Sequence, residues 1–481
     1  MHKWLLISQP SDFMQLGGLP ERFNPEYLIA DLQSGLRNVK AILVEEDYVD
    51  KDYRSTYYNF YSKQGARYER ECFRLHFFAK DLKYVSTAKG FQASDEDVQK
   101  HYLGFMVLRP IRVHASTIGR TVLSPHATRL AGGEMLNSSY VVHMLGYKLM
   151  IDGFPWMNQH TDISVCAHTA CWSILRHYSN RYRKYAEFLT HDVTRMAHTH
   201  DPGGLFPSEG LAVEDAELVF RNAGTFPLTI ARDVTEPSET DPFFRQVHAY
   251  LESGFPIYAN MHSQTHAIAL MGQQTLASPK ENKSVLFGWD FVLTFLAVDD
   301  NHLPYVEVGN SATFPPVAYS IDDIDTVVVP LPDKIFFPAD AVQVLAESMA
   351  QDLDEFAFPR PDDLIIRYFI TTSAALKRFI RDNISEFDLL LTESIMSLPM
   401  AQFVWIVEYS TKAQWAAGEV SVRAILDASA GLWDTTPAWS IFDKNVAWFF
   451  NRNDPVLSTG KLALQPTAMP YTEMTTNLHS F

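Results

Sequence analysis

The 481-residue chain has few cysteines: Cys72, Cys166 and Cys171 are the only three. Two of them stand five residues apart, so the set makes no disulfide framework and fits a reducing compartment. Long hydrophobic runs are also missing. No stretch of about 18 residues is apolar and uncharged enough to span a bilayer. The first ten residues carry too short an apolar run for a secretory signal. These absences lead us to expect a cytoplasmic protein with no membrane association. Internal repeats and low-complexity tracts are absent as well. Positive charge is in short supply, with a formal net charge of −17. Residues 1–150 hold 19 Lys+Arg against 16 Asp+Glu, which leaves about −20 on the remainder. An acidic bulk repels phosphates and argues against general nucleic-acid binding.

The chain is 47% hydrophobic and 20% charged, the composition of a folded globular protein. Its length suits two or three domains. Residues 1–135 read as a mixed α/β recognition or regulatory region. It has a helix from Pro25 to a glycine stop at Gly35, strands from Ala41 and Cys72, a capped helix start at Ser94, and strands from Tyr102 and Thr117. The interval 53–74 interleaves Tyr57, Tyr58, Tyr61 and Tyr68 with Arg54, Lys63, Arg67 and Arg70. Aromatic packing on a solvated helix explains it more simply than a nucleotide site does. Residues 336–481 read as an α/β region with helices over 339–357 and 362–382. Strands from Gln402 and Glu419 are expected to extend the central sheet.

The chemistry is concentrated in residues 136–335. Two strands, from Tyr140 and Tyr147, lead into the run Gln159-His-Thr-Asp-Ile-Ser-Val-Cys166-Ala-His-Thr-Ala-Cys171-Trp172. Apolar positions 170, 171, 174, 175 and 178 predict a helix over 166–182. A second helix over 209–224 and a third over 243–253 follow. Gly254-Phe-Pro-Ile-Tyr then precedes the strand His266-Ala-Ile-Ala-Leu-Met-Gly272. A hairpin insertion is expected over 273–286. The strand 289–298 ends at Asp299-Asp300-Asn301.

Cys166 opens a helix, where unpaired N–H groups and the helix dipole favour a thiolate. Cys171 falls on the apolar face and reads as a small buried residue, although Trp172 directly after it keeps it as the alternative nucleophile. His266 opens a strand and can lean into a cleft as the base. Asp299 or Asp300, at the end of the neighbouring strand, would accept the second ring N–H. Strand alternation puts the two on opposite faces, and the sequence does not say which meets His266; Asp299 is the slightly preferred choice. Gln159 would supply an oxyanion donor. A zinc site built from Cys166, His168 and Cys171 with His198 and His200 matches no structural zinc spacing, so neither a metal nor a cofactor is expected.

The segment 155–330 resembles the papain-like cysteine peptidases of the double-glycine, bacteriocin-processing type and their bacterial relatives. The shared elements are a Pro-x-x-x-Gln loop, a Cys-Ala helix start, Gly-Phe-Pro-Ile, His-Ala-Ile-Ala-Leu-Met-Gly, and a strand ending in aspartate. The resemblance implies an α+β fold in which a helix carrying the cysteine packs on an antiparallel sheet carrying the histidine and aspartate. It implies Cys166 as nucleophile, His266 as base, Asp299 or Asp300 as orienter and Gln159 as oxyanion donor. The expected activity is cysteine-dependent hydrolysis of a protein or peptide substrate, by a peptidase or isopeptidase. The alternatives are an inactive interaction module of the same fold, and an acyltransferase or deamidase using the same triad.

Overall fold

The computed structural model describes residues 2–111, 117–159, 165–197, 211–232, 240–309, 318–434, 437–451, 459–465 and 470–481. The chain is α+β, built on three mainly antiparallel sheets with helices packed between and against them. Among the described residues no helix is long and apolar enough to cross a membrane.

The N-terminal sheet has five antiparallel strands in the order His2–Leu6, Ala41–Tyr48, Cys72–Phe78, Tyr102–Leu108 and Ile118–Leu123. Its inner strands are buried on both faces, as their continuous apolar runs require. The hairpin Ser138–Met144/Tyr147–Gly153 alternates buried and exposed positions. It lays Tyr140, Val142, Met144, Leu149 and Ile151 on the core of this first sheet. The interval 53–74 is aromatic packing: Tyr53 and Tyr61 are buried, and Arg54 and Arg70 pair with Glu71.

The central sheet runs Phe226–Ala231, Thr326–Leu331, Ile257–Met261, His266–Thr275, Val292–Val298, Val306–Gly309 and Tyr319–Ser320. Only the last pair is parallel. Helix Cys166–Arg181 lies against this sheet. Residues 167–178 are all buried, so it is an interior helix and not a surface one. Tyr178 donates its hydroxyl to the Pro330 carbonyl of the sheet at 2.8 Å. On the opposite side, Asp52 of helix Lys51–Asn59 accepts from Trp172 Nε1 at 3.0 Å and from Arg176 Nη2 at 2.7 Å. The N-terminal region therefore grips the cysteine helix through one buried carboxylate.

The structure differs from expectation in three ways. The segment 362–382 is not one helix. Leu364–Thr372 is a strand, and only Ser373–Asp382 is helical. The reason is local, because Leu364-Ile-Ile-Arg-Tyr-Phe-Ile-Thr-Thr is β-branched and aromatic, and it is buried on both faces. The C-terminal strands do not extend the central sheet. Six of them build a separate sheet, with Val285–Phe287 as its seventh strand, and the short strand His479–Ser480 joins the central one through Glu134–Met135. The expected hairpin over 273–286 is not one either. Its outgoing limb, Val285–Phe287, leaves the central sheet and pairs in parallel with Leu364–Thr372, where Leu286 packs on Phe291 and Ile365.

Candidate active site

Helix Cys166–Arg181 starts at the expected residue. Val165 donates its N–H to His168 Nδ1 at 3.3 Å, so the first turn is closed by a side chain and Cys166 stands at the first helical position. Of the three cysteines, Cys166 is part-exposed while Cys72 and Cys171 are buried. Burial pushes the thiols of Cys72 and Cys171 far above their ordinary range. Cys171 therefore occupies the core position its apolar face implies, and it does not line the cleft.

His266 opens the strand His266–Thr275. The preceding Thr265 adopts φ 49°, ψ 44°, a left-handed conformation that a β-branched residue rarely takes. That turn reverses the chain between Ile257–Met261 and the His266 strand and sets the imidazole at the sheet end. The ring donates from Nε2 to Asp299 Oδ1 at 2.7 Å. Cys166 lines the same cleft and acts on the ring's proton affinity. Burial works to lower the His266 pKa. The bond to Asp299 and the influence of Cys166, with the charges of both, outweigh it and raise the value to about 10.

Asp299 and Asp300 follow the strand Val292–Val298, and the structure separates their roles. Asp299 accepts from His266, from the Asn301 N–H at 3.2 Å and from the Tyr319 hydroxyl at 2.9 Å. Burial opposes its ionisation, but the bond and charge of His266, with His302 and the Asn301 N–H, hold it below the ordinary carboxylate value. Asp300 sits 3.8 Å from His266 Nε2, too far for a hydrogen bond. Both its carboxylate oxygens are buried without a partner among the described residues. Burial, then repulsion from Asp299, raises its pKa to about 7. Its ligand atom lies within 4.8 Å of that of Asp299, so a neutral Asp300 avoids setting two carboxylate charges side by side.

Gln159 lines the same cleft as Cys166 and His266, together with Val165, Gln264, Thr265, Asn301 and Tyr319. The cleft holds about 450 Å³. The segment ahead of Gln159 is clamped from two sides. Asn158 N–H donates to Ile118 O at 3.0 Å, and Trp156 pairs with Thr121. Arg109, buried at the end of the N-terminal sheet, donates to the carbonyls of Asn158 at 3.1 Å and Gln159 at 3.2 Å. From the same segment, Trp156 Nε1 donates to the Asp299 carbonyl at 2.5 Å and Asn158 Nδ2 to the Asp300 carbonyl at 2.7 Å. One loop thus fixes both the glutamine and the aspartate turn.

The structure therefore brings Cys166, His266 and Gln159 to one cleft, with the buried Asp299 bonded to His266 and Asp300 3.8 Å from the same ring nitrogen. Sequence reasoning did not single out Tyr319, Asn301 or Arg109. Tyr319 carries no motif and reaches Asp299 only because Tyr319–Ser320 forms the sheet edge. Residues 198–200 of the zinc alternative lie outside the described residues. His168, another of its members, is occupied in capping the helix. Among the described residues, the group whose ligand atoms converge within 4.8 Å is His266, Asp299 and Asp300. Its first two members are already joined by the hydrogen bond described. No family model matches this chain, and no curated protein or solved structure matches it either.

Proposed function

We propose that this chain is a cysteine-dependent hydrolase, a peptidase or isopeptidase with a papain-like catalytic core formed by the Cys166 helix and the His266 sheet. The observation that carries the reading is the placement of His266. It is bonded to Asp299 and shares one cleft with a part-exposed thiol at a helix N-terminus and with Gln159. A thiol–imidazole pair with an orienting carboxylate is the constellation that activates a nucleophile.

In this reading Cys166 Sγ attacks the carbonyl carbon of an amide, and the carbon–oxygen π electrons move to oxygen. The oxyanion meets the Cys166 backbone N–H and the Gln159 side-chain amide. His266, held as imidazolium by Asp299, gives its proton to the departing amine as the carbon–nitrogen bond breaks. The product is a thioester. His266 then takes a proton from water, the hydroxide oxygen bonds to the acyl carbon, and the carbon–sulfur bond breaks to release the acid and the thiolate. Tyr319 and the Asn301 N–H keep Asp299 charged and fixed through both steps.

The test uses peptidyl vinyl sulfones with glycine at the positions preceding the warhead, because the resembled peptidases favour small residues there. Covalent labelling mapped to Cys166, and loss of peptide-amide hydrolysis in Cys166→Ala, support the reading. Hydrolysis that survives in Cys166→Ala contradicts it.

A further inference from the structure

A second cavity lies where the central sheet, the end of helix Thr240–Glu252 and the C-terminal sheet meet. It holds about 310 Å³. Its walls include Glu134, Glu252 and Glu473 against a single cation, Arg367. His248 also lines it, but burial first, and then the positive charges of Arg367 and Lys280, lower its pKa to about 3, so it adds no charge.

Arg367 does not neutralise this group. It is already shared among Glu408 Oε2 at 3.0 Å, Glu252 Oε1 at 3.4 Å, Glu473 Oε2 at 3.5 Å and the Met474 carbonyl at 3.1 Å. The surplus is negative, and the wall carboxyls register it. Burial and the repulsion of neighbouring carboxylates hold Glu134, Glu252 and Glu473 above their ordinary values, against the pull of Arg367. Two acceptors at the wall are left over. Glu252 Oε2 and Gln273 Oε1 have no hydrogen-bond partner among the described residues, although their residues are only 6% and 1% exposed. Buried acceptors are almost always satisfied in folded proteins, so a pair of orphans on one cavity points to a donor that belongs there. Two aromatic side chains also line it, Trp415 and Phe291, with ring centroids 4.9 Å apart. Carboxylates beside aromatic faces suit an organic cation, which can donate hydrogen bonds and lie over a ring at once. The carboxylates are too dispersed to converge on one metal ion, since the metal-compatible grouping among the described residues is the one at His266.

We propose that this cavity is a binding site for a small organic cation bearing an ammonium or guanidinium group, which donates to Glu252 Oε2 and Gln273 Oε1 and packs on Trp415. The site is separate from the Cys166 cleft: Gln273 lies on the His266 strand but seven residues along it, roughly 23 Å away at 3.3 Å per residue. Its walls come from residues 134, 248–291, 367–415 and 473–480, so a bound cation ties the C-terminal sheet to the central one.

Calorimetric titration of the full chain with putrescine, spermidine, agmatine and free arginine, in buffer with physiological salt, tests this. At least one of them is expected to bind saturably with one-to-one stoichiometry and to raise the melting temperature. Glu252→Gln and, independently, the half-exposed Glu473→Gln are each expected to weaken that binding at least tenfold, while Cys166→Ala leaves it unchanged. Retained binding in both glutamate variants would place the cation on the acidic surface and overturn the proposal. So would the absence of saturable binding by all four amines, or binding of magnesium in their place.

Discussion

Asp300→Asn is the substitution whose effect the site geometry defines most closely. Asp300 is 4% exposed, neither carboxylate oxygen has a hydrogen-bond partner among the described residues, and the charged Asp299 adjoins it. Its carboxyl is therefore neutral in the folded protein up to a pH of about 7, against an ordinary value of 3.8. In the unfolded chain it ionises near the ordinary value. Between those two pH values the folded state holds a proton that the unfolded state has released, so stability falls as pH rises. Each pH unit costs about 1.4 kcal/mol, giving a ceiling of about 4 kcal/mol across the window. Asparagine has the same shape and stays neutral at every pH. Urea unfolding of the wild type and Asp300→Asn at pH 5, 6, 7 and 8 should therefore diverge. The variant gains about 2–3 kcal/mol relative to the wild type between pH 5 and 7, and the difference levels off above pH 8. Below about pH 7 the group beside Asp299 is neutral in both proteins, so the contributions of His266 and Asp299 cancel there. A stability difference that stays constant from pH 5 to 8 would refute the assignment of a neutral, buried Asp300.

Other consequences follow from the same contacts. Asp299→Ala removes the acceptor that holds the His266 ring, and turnover of a cleaved peptide should fall by roughly 10²–10⁴ with little change in KM. Because the His266 pKa is raised to about 10 and that of Asp299 is lowered, their pairing stabilises the fold in a defined window. The histidine contribution is complete below its ordinary value near 6.5 and is lost as pH rises through about 10. The aspartate contribution is complete above its ordinary value and is lost as pH falls through the lowered one. Melting temperatures of wild type and His266→Ala should therefore converge at both extremes. Asp52→Ala leaves Trp172 and the buried Arg176 guanidinium short of a partner, and should destabilise the protein by about 3–5 kcal/mol in urea unfolding. Arg109→Met frees the carbonyls of Asn158 and Gln159; it should cost about 1–3 kcal/mol and lower kcat through the displaced Gln159.

The parts of the site legible in the sequence are those with a local signature. The three-and-four spacing after Cys166 marks a helix, though not its burial on every side. The small apolar residues after His266 mark a buried strand, and the Asp-Asp-Asn turn marks the end of its neighbour. The choice between Asp299 and Asp300 was not legible, because alternation says only that they face opposite ways. It is decided by the 2.7 Å bond from His266 and by Tyr319, which arrives from a separate strand. The clamp from Arg109 was equally hidden, since it joins residues about fifty positions apart through one guanidinium. In the C-terminal region, the run Leu364–Thr372 was misread as the start of a helix because a strand buried on both faces shows no alternation. The destination of Val285–Phe287 depends on a partner strand nearly eighty residues away, which no local pattern encodes.

The central claim is that His266 activates Cys166. Its most direct test is the rate of iodoacetamide alkylation at Cys166 from pH 5 to 9, for wild type and His266→Ala. Mass spectrometry separates Cys166 from the buried Cys72 and Cys171. The account predicts rapid labelling of Cys166 already near pH 6, at least tenfold slower in His266→Ala. Labelling of Cys166 only above about pH 8.5, or selective labelling of Cys171, would contradict it.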